Sequence, residues 1–156
     1  MTGIIYVIFA AALAMGLAGG GSAIGIGYAG RAANGVLSED PDRFGIMLIL
    51  VALPGTQGIY GFISAFLIIL QVDLLGGTPV ELTAVQGLQF VGAALPIALT
   101  GLISGIHQGK VCAAGIGVAE KKPGDAMKAV IYGALVETYA VLGLVITIFL
   151  LNGIQV

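Results

Sequence analysis

The chain has 156 residues, 58% hydrophobic and 9% charged, with a mean hydropathy of +1.09 and a formal net charge of −2. Soluble domains carry about 25% charged residues, so this composition is that of an integral membrane protein. The slight negative charge offers no nucleic-acid surface, and a lone cysteine, Cys112, excludes an intrachain disulfide or a thiolate metal cluster and reads as a small packing residue.

Four stretches are free of charge or carry one carboxylate only: Thr2–Gly30, Phe44–Val72, Leu82–Gly109 and Ala129–Val156. Each exceeds the ~20 residues that cross a bilayer. The expected fold is therefore all-α, with four transmembrane helices. No basic residue precedes Arg31, so a cleavable signal with a basic leading region is not expected. The six basic residues, Arg31, Arg43, Lys110, Lys121, Lys122 and Lys128, surround the first and third connections. The positive-inside rule then puts the loops between spans 1 and 2 and between spans 3 and 4 in the cytoplasm, with both termini outside.

The first and third spans are rich in glycine. Gly101, Gly105, Gly109, Ala113 and Gly117 recur every four residues, and Gly19, Ala23, Gly27 and Gly35 are their counterparts. Such strips permit close backbone approach in lipid. They read either as ordinary helix pairing or, since two occur at corresponding places, as a crowded inner wall on which many helices converge. In the second span, LPGTQGIYGF places Pro54 inside the helix, where it removes a backbone donor. Leu53, Thr56, Gln57 and Tyr60 follow at spacings of three and four, on one face. In the third, His107 lies next to Gln108 but about 100° around the helix from it; packing or lipid-facing polarity competes there with a proton relay, and the former is the simpler reading. The fourth span holds Glu137, the only formal charge between Ala129 and the C-terminus. An acidic group within a membrane helix is costly and marks an ion or proton pathway.

The chain also repeats itself at a gapless offset of 82 residues: Gly19 matches Gly101, Ser22 matches Ser104, Pro41 matches Pro123 and Thr56 matches Thr138. Two hairpins follow, residues 1–78 and 79–156, running parallel because each holds two spans. At this offset Glu137 faces Gly55, so only the second hairpin carries a carboxylate. Measured from loop tips near Asp40 and Lys122 at 1.5 Å per residue, Thr56, Gln57, Gln108 and Glu137 all lie ~21–25 Å from the same end. Three spans thus deliver oxygen ligands to one level, as a hard cation requires. A proton carrier needs the carboxylate and one partner and leaves the other polar groups unexplained, each with its desolvation cost. Sodium accounts for them all.

With LPGTQGIYGF, GIHQGK and VETYAVLG in place, the chain resembles, over essentially its whole length, the proteolipid (K or c) subunit of V-type rotary ATPases, and in particular the bacterial sodium-translocating members. The resemblance implies a homo-oligomeric ring in the cell membrane of a bacterium. It implies a sodium ion held by the Leu53 carbonyl, Thr56, Gln57, Gln108 and Glu137, with Tyr60 hydrogen-bonding the glutamate. It further implies a rotor that turns against a stator subunit (a or I type) bearing an essential arginine, and that couples to a central-stalk subunit on the cytoplasmic side. The chain would be no enzyme by itself and would need no cofactor, its transported ion being Na+ or, alternatively, H+. Two other classes compete: a pore of stacked hairpins, which needs no single carboxylate beside neutral oxygens, and a small four-span exporter, for which glycine-packed spans leave little cavity.

Overall fold

The structure, a computed structural model, describes residues 2–156. Four helices are long and apolar enough to cross a membrane: α1 (Thr2–Glu39), α2 (Pro41–Gln71), α3 (Ala84–Lys121) and α4 (Pro123–Asn152). No strand occurs among the described residues.

α1 and α3 outrun the apolar stretches read from the sequence, which end at Gly30 and Gly109. Each has 38 residues, or ~57 Å at 1.5 Å per residue, well beyond a hydrocarbon core of ~30 Å. Packing sustains the extensions. Ala29, Ala33 and Val36 of α1 and Cys112, Ile116 and Ala119 of α3 join Met47 and Leu50 of α2 in a buried cluster near the loop end. This burial outweighs the poor helix propensity of Asn34, Gly35, Gly115 and Gly117.

Both extended helices stop for the same local reason. Pro41 and Pro123 force the preceding residue out of the helical region. Asp40 (φ −139°, ψ 88°) and Lys122 (φ −140°, ψ 79°) accordingly share one extended conformation, and each proline opens a 3-10 turn that starts the next helix. The two ends are tied together: Arg43 pairs with Asp40 at 2.8 Å and donates through Nη1 to the Ala119 carbonyl at the end of α3 at 3.0 Å. At the opposite end Gln71 donates to the Leu151 and Ile154 carbonyls at 3.0 and 3.2 Å, closing the last turn of α4. A second cluster, with Val7, Ile68, Phe90 and Ile97 at its centre, fills that end.

The two glycine strips turn out to differ. Gly101, Gly105 and Gly109 are buried against α1, where a Cβ on them would overlap Ala18, Gly21 and Gly25 respectively. Their strip is a helix–helix seam inside one chain. On α1 it is Gly21 and Gly25 that meet this seam, whereas a Cβ on Gly27 or Gly35 would meet nothing within 4 Å. The Gly27 and Gly35 end of the α1 strip therefore faces away from the rest of the chain, while Gly19 lies beside Gly58 of α2. The α3 seam also ends at Gly109, since Gly117 too lies in open space.

Candidate functional site

The site lies where α2, α3 and α4 meet, between the two apolar clusters. Its first element is the interruption in α2. Pro54 has no N–H, and residues Leu53–Gly55 tighten into a 3-10 turn before the α-helix resumes at Thr56. The Leu53 carbonyl then accepts from the Thr56 backbone N–H and also from the Thr56 hydroxyl at 3.1 Å. A resumed helix starts with unpaired N–H groups. One of them, on Gly58, donates to Ser22 Oγ of α1 at 2.8 Å.

The next element is a pair of amides. Gln57 and Gln108 are both fully buried, at 0% exposure, which is tolerable only if their polar atoms are paired. Gln57 Nε2 donates to Gln108 Oε1 at 2.5 Å. Gln108 Nε2 donates to the Gly133 carbonyl of α4 at 3.0 Å and reaches Glu137 Oε2 at 3.4 Å. Thr56 Oγ1 lies 3.5 Å from Gln57 Oε1.

The carboxylate completes the set. Tyr60 donates its hydroxyl to Glu137 Oε1 at 2.6 Å. Both oxygens of Glu137 are thus acceptors, one facing α2 and one facing α3. No cation balances them: the ion pairs among the described residues are Arg43–Asp40 and Lys128–Asp125, both away from the site. Nor do three His, Cys, Asp or Glu side chains gather anywhere among the described residues. A cation held here would have one carboxylate and otherwise neutral oxygens as ligands, a set suited to a hard monovalent ion.

The structure therefore brings Leu53, Thr56, Gln57, Tyr60, Gln108 and Glu137 into one connected group. His107 stands apart, exposed on a face of α3 about 100° around the helix from the buried Gln108. Two participants escape sequence reasoning. Gly133 supplies a backbone carbonyl, and its lack of a side chain matters: a Cβ there would come within 3.1 Å of Cys112 Sγ and 3.2 Å of Leu53 Cδ1. Its place one turn before Glu137 was the available signal. Ser22 supplies the acceptor for Gly58, and only its recurrence as Ser104 in the repeat pointed to it.

The sequence profile of the ATP synthase C-subunit family matches residues 9–68 and again residues 91–150, one match to each hairpin. Among known proteins, the V-type sodium ATPase subunit K of Enterococcus hirae is 51% identical over 148 residues, covering 95% of this chain and 91% of the relative. The A-type ATP synthase subunit K of Methanocaldococcus jannaschii is 40% identical over 144 residues, covering 92% of this chain. The chain spans 60% of the length of that second relative.

Proposed function

The chain belongs to the ATP synthase C-subunit family, and on that premise we propose that it carries sodium ions across the membrane on Glu137 as part of a rotating ring. It is a multi-pass membrane proteolipid and is not itself a catalyst; ATP chemistry belongs to other subunits of the complex. The likeness to a sodium ATPase proteolipid supports sodium as the cargo.

The observation that carries this reading is the buried chain of neutral oxygens ending on an uncompensated carboxylate. In the proposed site the Leu53 carbonyl, Thr56 Oγ1, the Gln57 and Gln108 amide oxygens and Glu137 hold the ion, and Tyr60 holds the glutamate. The hydroxyl of Thr56 rotates its hydrogen away from Leu53 or Gln57 to offer a lone pair. Glu137 supplies the one negative charge that a monovalent cation neutralises. An empty, ionised Glu137 facing lipid is a buried charge without a partner, so the ring turns past lipid only when the site is filled.

Identical copies form the ring in the cell membrane of a bacterium. The hairpin of residues 1–78 contributes α2 ligands and no carboxylate, and the hairpin of residues 79–156 contributes Gln108 and Glu137. The connections at Asp40 and Lys122 face the cytoplasm, where a central-stalk subunit docks, and both termini lie outside. A stator subunit offers a guanidinium that pairs with Glu137 and displaces the ion at the exchange point.

The test is sodium binding to purified rings, combined with carbodiimide labelling of Glu137 across pH. Sodium is expected to protect Glu137 at neutral pH. Protection by acidification alone, with no effect of sodium, would assign protons to the same ring.

A further inference from the structure

α1 supplies none of the residues gathered at the site, yet it touches the α2 interruption along one line. Gly25, Ser22 and Ala18 of α1 lie against Pro54, Gly58 and Gly61 of α2, in that order. The middle contact is a hydrogen bond, in which the Gly58 N–H donates to Ser22 Oγ at 2.8 Å. Ser22 is buried, at 5% exposure.

Local geometry explains why α1 has to provide that oxygen. The helix that resumes after Pro54 must satisfy the N–H groups of its first turn without help from water. A capping side chain does this from a non-helical, extended backbone. Thr83 does so at the start of α3: at φ −70° and ψ 160° its hydroxyl accepts the Gln86 N–H at 3.2 Å. Gly55, which holds the same place before Thr56, is helical (φ −82°, ψ −21°) and has no side chain. The acceptor therefore comes from another helix, and Ser22 brings it. The repeat offers a comparison. Ser104, the counterpart of Ser22, is equally buried, yet its hydroxyl has no partner. Its hairpin has Val136 where α2 has Pro54, and α4 runs unbroken there. The serine is engaged only where the opposing helix is interrupted.

We propose that Ser22 is a positioning residue of the ion site. By holding the Gly58 N–H it fixes the first turn of the resumed helix, and with it the Thr56 hydroxyl and the Gln57 amide. Ser22 itself supplies no ligand. The next turn is held separately, because Gly61 packs so closely on Ala18 and the Ala14 carbonyl that a Cβ would overlap both. Tyr60, in that turn, keeps its bond to Glu137 without the serine. Loss of the Ser22 hydroxyl thus bears on the neutral oxygens and spares the carboxylate. Sodium affinity depends on Ser22, and proton occupancy of Glu137 does not. The role deepens the sodium reading given above and rests on it.

Two measurements on the purified intact complex test this: equilibrium sodium binding, and carbodiimide labelling of Glu137 across pH without sodium. Ser22→Ala is expected to lose about tenfold in sodium affinity, the scale of a lost helix cap, and to keep the pH midpoint of acid protection. Ser22→Cys keeps the side-chain size but offers only a weak acceptor, and is expected to lose as much. Ser22→Thr keeps the hydroxyl and is expected to bind sodium more tightly than either. Ser104→Ala is expected to bind as the unsubstituted chain does. Unchanged sodium affinity in Ser22→Ala, an equal loss in Ser104→Ala, or an acid midpoint that shifts along with the sodium affinity would overturn the role. Should Ser22→Ala fail to assemble, the other two variants decide, and equal affinities in Ser22→Cys and Ser22→Thr would refute it. An unsubstituted complex that binds no sodium would instead remove the sodium reading itself, and this role with it.

Discussion

Gln108 and Gly133 are joined by a hydrogen bond of 3.0 Å from the glutamine amide to the glycine carbonyl. A carbonyl can only accept, so this contact turns the Gln108 NH2 group towards α4 and its oxygen towards α2. The oxygen then meets Gln57. One backbone carbonyl thereby sets the direction of the amide pair: the Gln108 nitrogen lies on the Gly133 and Glu137 side, and the Gln108 oxygen accepts from the Gln57 amide.

Gly133→Ala tests this dependence. The added Cβ would sit 3.1 Å from Cys112 Sγ and 3.2 Å from Leu53 Cδ1, so α4 must shift or Leu53 must move. Sodium affinity is expected to fall by about tenfold, or ~1.4 kcal/mol, within the ~1–3 kcal/mol range of overpacked sites. Adding Cys112→Ala removes the closer obstacle and should recover part of the loss. Equilibrium sodium binding to the purified single and double variants reads both effects.

Tyr60→Phe removes the donor that holds Glu137 Oε1 at 2.6 Å while keeping the ring in place. Hydrogen bonds to charged groups contribute about 1.5–3 kcal/mol. The glutamate should become freer, and carbodiimide labelling at a given subsaturating sodium concentration should become faster. An unchanged labelling rate would mean that Tyr60 does not hold the glutamate.

Much of this arrangement was legible because two periodicities coincide. Spacings of three and four put Leu53, Thr56, Gln57 and Tyr60 on one face, and the repeat placed both loop tips at prolines, so depth along each helix could be counted. The structure joins those residues as counted. The roles of the glycines were less legible, since glycine on a helix marks close approach without saying which helix approaches. Gly101, Gly105 and Gly109 meet α1, whereas Gly27 meets nothing within the chain. Backbone acceptors such as the Gly133 carbonyl carry no side-chain signature at all, and the length of α1 and α3 depended on a packed cluster that hydropathy does not report.

Neutral oxygens and the carboxylate should separate in their effects. Glu137→Gln is expected to abolish transport, because no charge remains to balance a cation. Thr56→Ala and Gln108→Ala are expected to weaken sodium binding and to leave acid protection of Glu137 intact, since a proton on a carboxyl group needs neither oxygen. Gln108→Ala also strands the buried Gln57 amide, at a cost of about 1–3 kcal/mol in stability, so Thr56→Ala is the cleaner of the two. Sodium binding and carbodiimide protection, measured on the same preparations at neutral and acidic pH, distinguish these outcomes. Loss of acid protection in Thr56→Ala would contradict the assignment.

The first hairpin should hold no second ion, even when given a carboxylate. At the 82-residue offset Glu137 corresponds to Gly55, Gln108 to Ile26, Gln57 to Tyr139 and Tyr60 to Leu142. A Cβ on Gly55 would lie 3.4 Å from Ile26 Cδ1, an ordinary contact, so the position tolerates a side chain. Its neighbour, however, is an isoleucine where the working site has an amide oxygen. A glutamate placed there would stay protonated or unpaired, because burying its charge without ligands is too costly. Gly55→Glu is therefore expected to keep one sodium per chain by equilibrium binding. It should also slow rotation, since an added carboxylate that holds no sodium passes the stator with nothing to exchange but a proton. Two sodium ions per chain in that variant would show that the carboxylate alone makes the site, and would remove the part assigned here to Gln57, Gln108 and Thr56.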